Sequence, residues 1–110
     1  MPKIRDMLAP EDVDMVRRAV KAATEGDFFP EIEFSTIFGI DRATLRRVYM
    51  GWPEPEMELR DLRLAVLDTL NNLTGYPHNM DDELAYYVPE GIDALLRVQR
   101  ELRARWPGGH

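Results

Sequence analysis

The stretch MELRDLRLAVLDTLNNL, residues 57–73, carries the apolar pattern that decides the fold class. Apolar side chains recur in it every three or four residues, which is the spacing of one face of an α-helix. That face consists of Leu59, Leu62, Val66, Leu70 and Leu73, and Leu67 widens it. The stretch therefore predicts a helix that begins near residue 57 and buries this face in a core.

A second helical pattern lies near the start of the chain. Pro10 suits the first turn of a helix, acidic residues follow it at the positive end of the helix dipole, and Gly26 supplies a stop. The apolar positions at helical spacing are Val13, Val16, Val20 and Ala23. We expect a helix over residues 10–25.

The segment between these two helices predicts a pair of shorter ones. Pro30 can open a short helix that Gly39 ends, and Asp41 is a good N-cap for a helix over residues 42–50. The sequence Gly-Trp-Pro-Glu-Pro that begins at Gly51 then breaks the chain before the long helix.

The C-terminal part predicts one further long helix. Residues 81–87 fit either one or two helical turns or an extended piece, and Pro89 can start a helix that ends before Pro107. Its inward face would contain Ile92, Leu95, Leu96, Gln99, Leu102 and Trp106. We therefore predict a single all-α domain over residues 1–110, a bundle of about four to five helices with flexible ends at 1–9 and 107–110.

Composition bounds the class of protein. A chain of 110 residues that is 45% hydrophobic and 31% charged is typical of one globular domain. Twenty acidic residues against fourteen basic ones give a formal net charge of −6. This charge repels nucleic acid and anionic membranes and favours basic partners.

The sequence also indicates a compartment. It contains no cysteine, which fits a reducing environment. Lys3 and Arg5 precede no apolar run, so we expect no secretory signal, and no apolar stretch approaches the length of a membrane span. We expect a cytoplasmic protein.

Catalytic motifs are scarce in this chain. Without cysteine the nucleophiles reduce to Ser35 and a few threonines, and the histidines are His78 and His110. No Gly-rich phosphate loop and no paired-histidine motif occurs. His78 with Asp81 and Asp82 could approach a metal, but a solvated loop explains these residues better. We expect no enzyme activity, no cofactor and no metal site.

Residues 34–48, FSTIFGIDRATLRRV, resemble the helix-turn-helix of bacterial repressors. A small residue lies four positions before Gly39, a branched apolar residue follows it, and Leu45 and Val48 take the buried positions of the second helix. The resemblance implies a DNA-facing set that consists of Arg42, Thr44, Arg46 and Arg47. Any tight pair of helices favours the same pattern, so a packing role stays open.

The C-terminal half resembles the colicin-type DNase immunity proteins. The order is a helix, the loop Tyr-Pro-His at 76–78, the segment DDELAYYVPEG at 81–91, and a closing helix. Members of that family are small acidic four-helix proteins that block a toxin nuclease in the producing cell. The residues that carry the likeness are Asp82, Glu83, Leu84, Tyr86 and Tyr87. The departures are an inserted Val88, a reversed order of histidine and proline, a missing acidic loop, and no counterpart for residues 1–50.

A second likeness lies elsewhere in the chain. Residues 29–39 together with 71–78 resemble a group of small uncharacterised bacterial proteins. No function is attached to that group, so this likeness implies nothing about mechanism.

The tyrosine pair also has a purely physical interpretation. Neighbouring side chains on a helix diverge by about 100°, so Tyr86 and Tyr87 cannot both point into a core. An exposed tyrosine beside acidic residues is typical of a protein-binding hot spot, although packing of one ring and solvation of the acids would explain the segment equally well. The predicted partner-binding residues are Asp81, Asp82, Glu83, Tyr86 and Tyr87.

Three functions follow from these patterns. The leading hypothesis is an acidic, non-enzymatic inhibitor of the immunity type that neutralises a basic protein partner such as a toxin nuclease. The first alternative is a helix-turn-helix DNA-binding regulator. The second is an assembly subunit that presents Phe28, Phe29 or Trp52 as contact points.

Overall fold

The computed structural model describes residues 3–26, 28–30, 33–75 and 79–106, and within these ranges the chain forms helices and no strand. The helices are α1 (Ile4–Met7), α2 (Pro10–Glu25), α3 (Phe34–Phe38), α4 (Arg42–Gly51), α5 (Leu59–Gly75), α6 (Asp81–Tyr87) and α7 (Ile92–Arg105). The all-α class is confirmed, and the short helices α1 and α6 join the predicted longer ones. None of the described helices combines the length and the apolar character needed to cross a membrane.

Helix α2 is the centre of the bundle. It packs against α4, α5 and α6, and α5 also packs against α7. Its bounds match the prediction, with Pro10 in the first turn. Val16, Val20 and Ala23 are buried on its inner face, as the spacing predicted, while Val13 is only partly buried.

Helix α5 supplies the other half of the core. It begins at Leu59, two residues after the predicted start, and the predicted inner positions from Leu62 to Leu73 are buried. Leu59 itself is partly buried against the core. Leu70 is fully buried, as expected for the middle of an apolar face that packs on both α2 and α7.

The turn between α3 and α4 follows the predicted turn chemistry. Gly39 adopts the left-handed conformation with φ 71°, and its amide donates to the carbonyl of Ser35 at 2.8 Å. The Asp41 carboxylate accepts from the amide of Thr44 at 2.7 Å, so the predicted N-cap is confirmed. The prediction that Pro30 opens α3 was wrong in its start, since the helix begins at Phe34.

The start of α7 also needs correction. Pro89 lies in a turn between α6 and α7, and the helix begins at Ile92 after Gly91, whose φ is 91°. The turn forms because Val88 is fully buried at the end of α6, and the amide of Gly91 donates to its carbonyl at 3.1 Å. Glycine suits this position because its φ is unfavourable for other residues.

Part of the segment 1–9, which the sequence predicts to be flexible, forms α1. Ile4, Met7 and Leu8 are buried, and α1 packs against α2 and α7. The guanidinium of Arg105 donates to the carbonyl of Met7, which ties the two ends of the described chain together. Burial of three large apolar side chains orders a segment that is too short to show a helical period. Residues 107–110 lie outside the described ranges.

The contact points predicted for an assembly subunit are buried or partly buried in this structure. Phe28 and Phe29 are buried, and Phe29 meets Phe38 edge-on with ring centroids 4.9 Å apart. Trp52 is partly buried, and its indole Nε1 donates to the carbonyl of Val13 at 3.1 Å. The prediction was wrong for Phe28 and Phe29, whose rings are buried among other aromatic side chains, whereas Trp52 keeps part of its surface exposed.

Candidate functional site

Helix α6 is held on the bundle by apolar side chains on one side only. Leu84 and Val88 are buried, and the helix packs against α2. Tyr86 lies on the opposite side and is 82% exposed. Of the two predicted alternatives for the segment 81–87, the structure shows the helix, and the outer side of this helix faces solvent.

The three acidic residues of α6 occupy its first turn. Asp81, Asp82 and Glu83 are exposed, and no ion pair engages them within the part of the chain that the structure describes. Negative charge is favoured at the start of a helix because the exposed amide groups carry partial positive charge there. Asp82 and Glu83 precede Tyr86 by four and three residues, so they share its outward side of the helix, and Asp81 lies at the exposed start of α6. We call these four residues the α6 surface (Asp81, Asp82, Glu83 and Tyr86).

Tyr87, the other predicted tyrosine, is partly buried against aromatic rings. Its ring lies edge-on to Phe28, with centroids 6.4 Å apart, and it also meets Tyr86 edge-on at 5.4 Å. Burial raises the pKa of the Tyr87 hydroxyl, and the negative charges of Glu25 and Glu83 add to this effect. Tyr87 is half-buried support for Tyr86, so of the predicted tyrosine pair only Tyr86 lies fully on the surface.

An ion-pair network that the sequence did not reveal fixes the end of α6. Arg18 donates two hydrogen bonds to the Glu90 carboxylate at 2.8 and 2.5 Å and a third to Asp14 at 2.9 Å. It also donates to the backbone carbonyl of Tyr87 at 3.2 Å. The hydrogen bonds from Arg18 lower the pKa of Glu90 to about 2. This network ties the turn after α6 to α2 and so orients the α6 surface.

Arg42, the first residue of the predicted DNA-facing set, is occupied inside the fold. Its guanidinium donates to the carbonyl of Thr24 at 2.6 Å and to that of Ala23 at 3.3 Å. It also lies 4.4 Å from the centroid of the Phe34 ring. The prediction that Arg42 faces DNA was therefore wrong, because this side chain caps the last carbonyls of α2.

The rest of the helix-turn-helix pattern is divided between packing and surface. Leu45 and Val48 are buried as predicted. Arg46 and Arg47 are exposed on the outer side of α4, while Thr44 is partly buried and its amide is used by the N-cap. The main contacts of α3 are with α5 and those of α4 are with α2, so each helix packs chiefly on another part of the bundle rather than on the other.

Metal ligation finds no geometric support in the described ranges. No group of three or more histidine, cysteine or acidic side chains there could hold a metal ion. His78, the histidine of the weak metal pattern, lies outside those ranges.

Comparison with protein-family models, with curated proteins and with solved structures gives no match. The α6 surface must therefore be interpreted from its own geometry and charge.

Proposed function

We propose that this chain is a non-enzymatic binding domain that uses the α6 surface to hold a basic face of a partner protein. The observation that carries the proposal is the exposure of Tyr86, at 82%, beside three carboxylates that have no ion-pair partner among the described residues. Tyrosine is enriched in binding hot spots, and its ring offers a large apolar area that a partner can cover.

The proposed contributions of these residues differ in kind. Tyr86 supplies buried area, because its ring can enter a partner pocket at a small cost in conformational entropy. Asp82 and Glu83 pair with lysine or arginine on the partner, which chiefly speeds association and selects the partner. Tyr87 and Arg18 keep the ring and the helix in place from below.

The size of the surface limits what it can do alone. Seven residues of helix span roughly 10 Å, and a stable interface needs roughly 800 Å² on each partner. The partner therefore has to reach beyond α6 onto neighbouring acidic side chains. Glu25 is exposed and close enough to Tyr87 for its charge to act on the tyrosine hydroxyl, so it continues the negative surface, whereas the charge of Glu90 is paired with Arg18.

The class of partner comes from the resemblance to the colicin-type DNase immunity proteins. A nuclease binds its nucleic acid with a basic face, and an acidic protein that covers that face blocks the substrate. We propose a toxin nuclease or another basic protein as the partner, and inhibition without any chemistry by this chain. The proposal includes a cytoplasmic location, which the absence of cysteine from the sequence supports.

DNA binding by α4 is the second candidate. The exposure of Arg46 and Arg47 favours it, whereas the engagement of Arg42 in the fold and the formal charge of −6 weaken it. If it holds, Arg46→Ala/Arg47→Ala weakens a DNA complex seen by gel retardation and flattens its salt dependence. No retardation of genomic fragments at low salt would eliminate it.

The test of the leading proposal uses the full chain as immobilised bait in lysate of its native host. The variants are Asp82→Lys/Glu83→Lys and Tyr86→Ala. The matched control is Glu56→Lys/Glu58→Lys, which makes the same charge change on exposed residues away from α6. Captured proteins are identified by mass spectrometry, and the purified partner is titrated by calorimetry and assayed for nuclease activity with and without the chain.

We expect the wild-type chain and the control to retain a basic partner that both α6 variants lose. Loss of Tyr86 should weaken binding by more than about 2 kcal/mol, as at a central hot spot. Helicity should be unchanged in all three variants, and the free energy of unfolding of Tyr86→Ala and of the control should stay within about 0.5 kcal/mol, since the altered residues are exposed. Asp82→Lys/Glu83→Lys also removes favourable negative charge from the first turn of α6, which costs about 0.3–1 kcal/mol per residue. Equal capture by every variant would contradict the proposal.

A further inference from the structure

The outer side of α4 carries an exposed, positively charged stripe, opposite in sign to the α6 surface. Ala43, Arg46, Arg47 and Met50 are spaced three or four residues apart along one side of the helix, and all four are exposed. Leu45 and Val48 lie on the buried side. Met50 is 75% exposed, and with Tyr86 it is one of the two most exposed large apolar side chains in the described ranges.

This stripe and the α6 surface flank the same helix. Both α4 and α6 pack against α2, and the partly buried Lys21 of α2 lies close to both. The ammonium of Lys21 lies 5.9 Å from the centroid of the Tyr49 ring on α4. The same ammonium is close enough to Tyr87 on α6 for its charge to act on the tyrosine hydroxyl.

We propose that two copies of this chain associate through these two surfaces, with the α4 stripe of each copy on the α6 surface of the other. Arg46 and Arg47 would meet Asp82 and Glu83, and Met50 would cover the ring of Tyr86. A symmetric pair of this kind closes on itself and makes the contact twice, so it buries twice the area that one helix offers.

The chemistry of the two surfaces supports a second copy as the occupant. The α4 stripe has two arginines beside Met50, and the α6 surface has carboxylates without an ion pair among the described residues beside Tyr86, so the two are complementary in charge. Thioether sulfur also packs favourably against aromatic rings. The inference goes beyond binding of a foreign partner, although it uses the same α6 surface.

The experiment measures the oligomeric state of the full chain by sedimentation velocity and light scattering over a concentration series. Two charge reversals are compared, Arg46→Glu/Arg47→Glu and Asp82→Lys/Glu83→Lys. The control is Arg100→Glu/Arg103→Glu, which makes the same charge change on exposed residues of α7. Circular dichroism checks that each variant keeps the helical content of the wild-type chain.

We expect the wild-type chain and the control to dimerise as concentration rises. Each reversal alone should raise the dissociation constant at least about tenfold, because it places like charges opposite each other in both contacts. An equimolar mixture of the two reversed variants should restore the dimer, because each contact then joins opposite charges again. Asp82→Lys/Glu83→Lys changes the formal net charge from −6 to −2 (−6 + 4), so a general charge effect would strengthen its self-association, and the weakening expected here is specific to the contact.

The outcomes separate the two proposals. A wild-type chain that stays monomeric at millimolar concentration, or a mixture that fails to associate, refutes the dimer and leaves foreign binding by α6 intact. Dimerisation with no partner captured through α6 supports the dimer and contradicts the proposed inhibitor. Dimerisation that survives both reversals and depends instead on the control residues would place the contact elsewhere and overturn the inference.

Discussion

Replacement of Arg42 by alanine separates the structural role of this residue from the DNA-binding role that the sequence suggested. The guanidinium donates to the carbonyls of Ala23 and Thr24 at the end of α2 and lies over the ring of Phe34. These three contacts join α2, α3 and α4 at one point. We expect Arg42→Ala to destabilise the fold, with or without nucleic acid present.

The magnitude follows from the contacts that are lost. Hydrogen bonds from a charged donor contribute about 1.5–3 kcal/mol, and a partly exposed cation–π contact contributes about 0.5–1 kcal/mol. The two are not additive, since one ordered side chain makes both and water replaces part of the hydrogen bonding. We expect a loss of about 2 kcal/mol, which for a domain of this size lowers Tm by on the order of 8 °C.

The assay is urea denaturation followed by circular dichroism, with thermal unfolding as a second measurement. Arg46→Ala is the matched control, because Arg46 is exposed on the same helix and should change the free energy of unfolding by no more than about 0.5 kcal/mol. Arg42→Lys should recover only part of the stability, since an ammonium lacks the planar group that spans two carbonyls and a ring. Equal stability of Arg42→Ala and Arg46→Ala would refute the capping role.

Two further predictions test the core and the Arg18 network. Leu70→Ala should cost about 2–5 kcal/mol by urea denaturation, since the side chain is fully buried, and a change below about 0.5 kcal/mol would exclude it from the core. The pairing with Arg18 lowers the pKa of Glu90 from 4.5 to about 2. This pairing therefore stabilises the fold fully at pH values above 4.5, and the stabilisation is lost as the pH falls to about 2. Glu90→Gln should therefore be less stable than wild type near neutral pH, with the difference shrinking between about pH 4.5 and pH 2. A difference that stays constant across that range would contradict the pairing.

The parts of the fold that the sequence predicted well are those with local causes. The bounds of α2 follow from a proline, an apolar period and a glycine within seventeen residues. The Asp41 cap needs only the amide three positions ahead of it. These features depend on neighbours along the chain, so a pattern in the sequence is enough to find them.

The features that sequence reasoning missed depend on residues far apart in the chain. Arg18 and Glu90 are 72 positions apart, and Arg97 pairs with the buried Asp12 across 85 positions. No local pattern distinguishes such an arginine from one in solvent. Arg42 was assigned to DNA for the same reason, because nothing near it in sequence marks the end of α2 as its target.

The tyrosine pair combines a feature with a local cause and a feature that depends on distant residues. Helix geometry requires Tyr86 and Tyr87 to diverge, so at least one exposed ring was predictable. Which ring is exposed depends on where α6 meets α2, and Phe28 lies beside Tyr87 rather than Tyr86. That contact joins residues 59 positions apart, and it is set by the packing of Leu84 and Val88 rather than by the pair itself.

The two proposals are linked because both use the α6 surface. A copy whose α6 surface is covered by the α4 stripe of another copy cannot bind a foreign partner there, so the partner binds only the monomer at this surface. The apparent affinity for the partner then falls as the concentration of this chain rises, since the competent fraction becomes smaller. By the same linkage, a partner that takes up the monomer dissolves the dimer. In the dimer, the α4 stripe of one copy would thus cover Tyr86 of the other, until a partner with a more strongly basic surface displaces that copy.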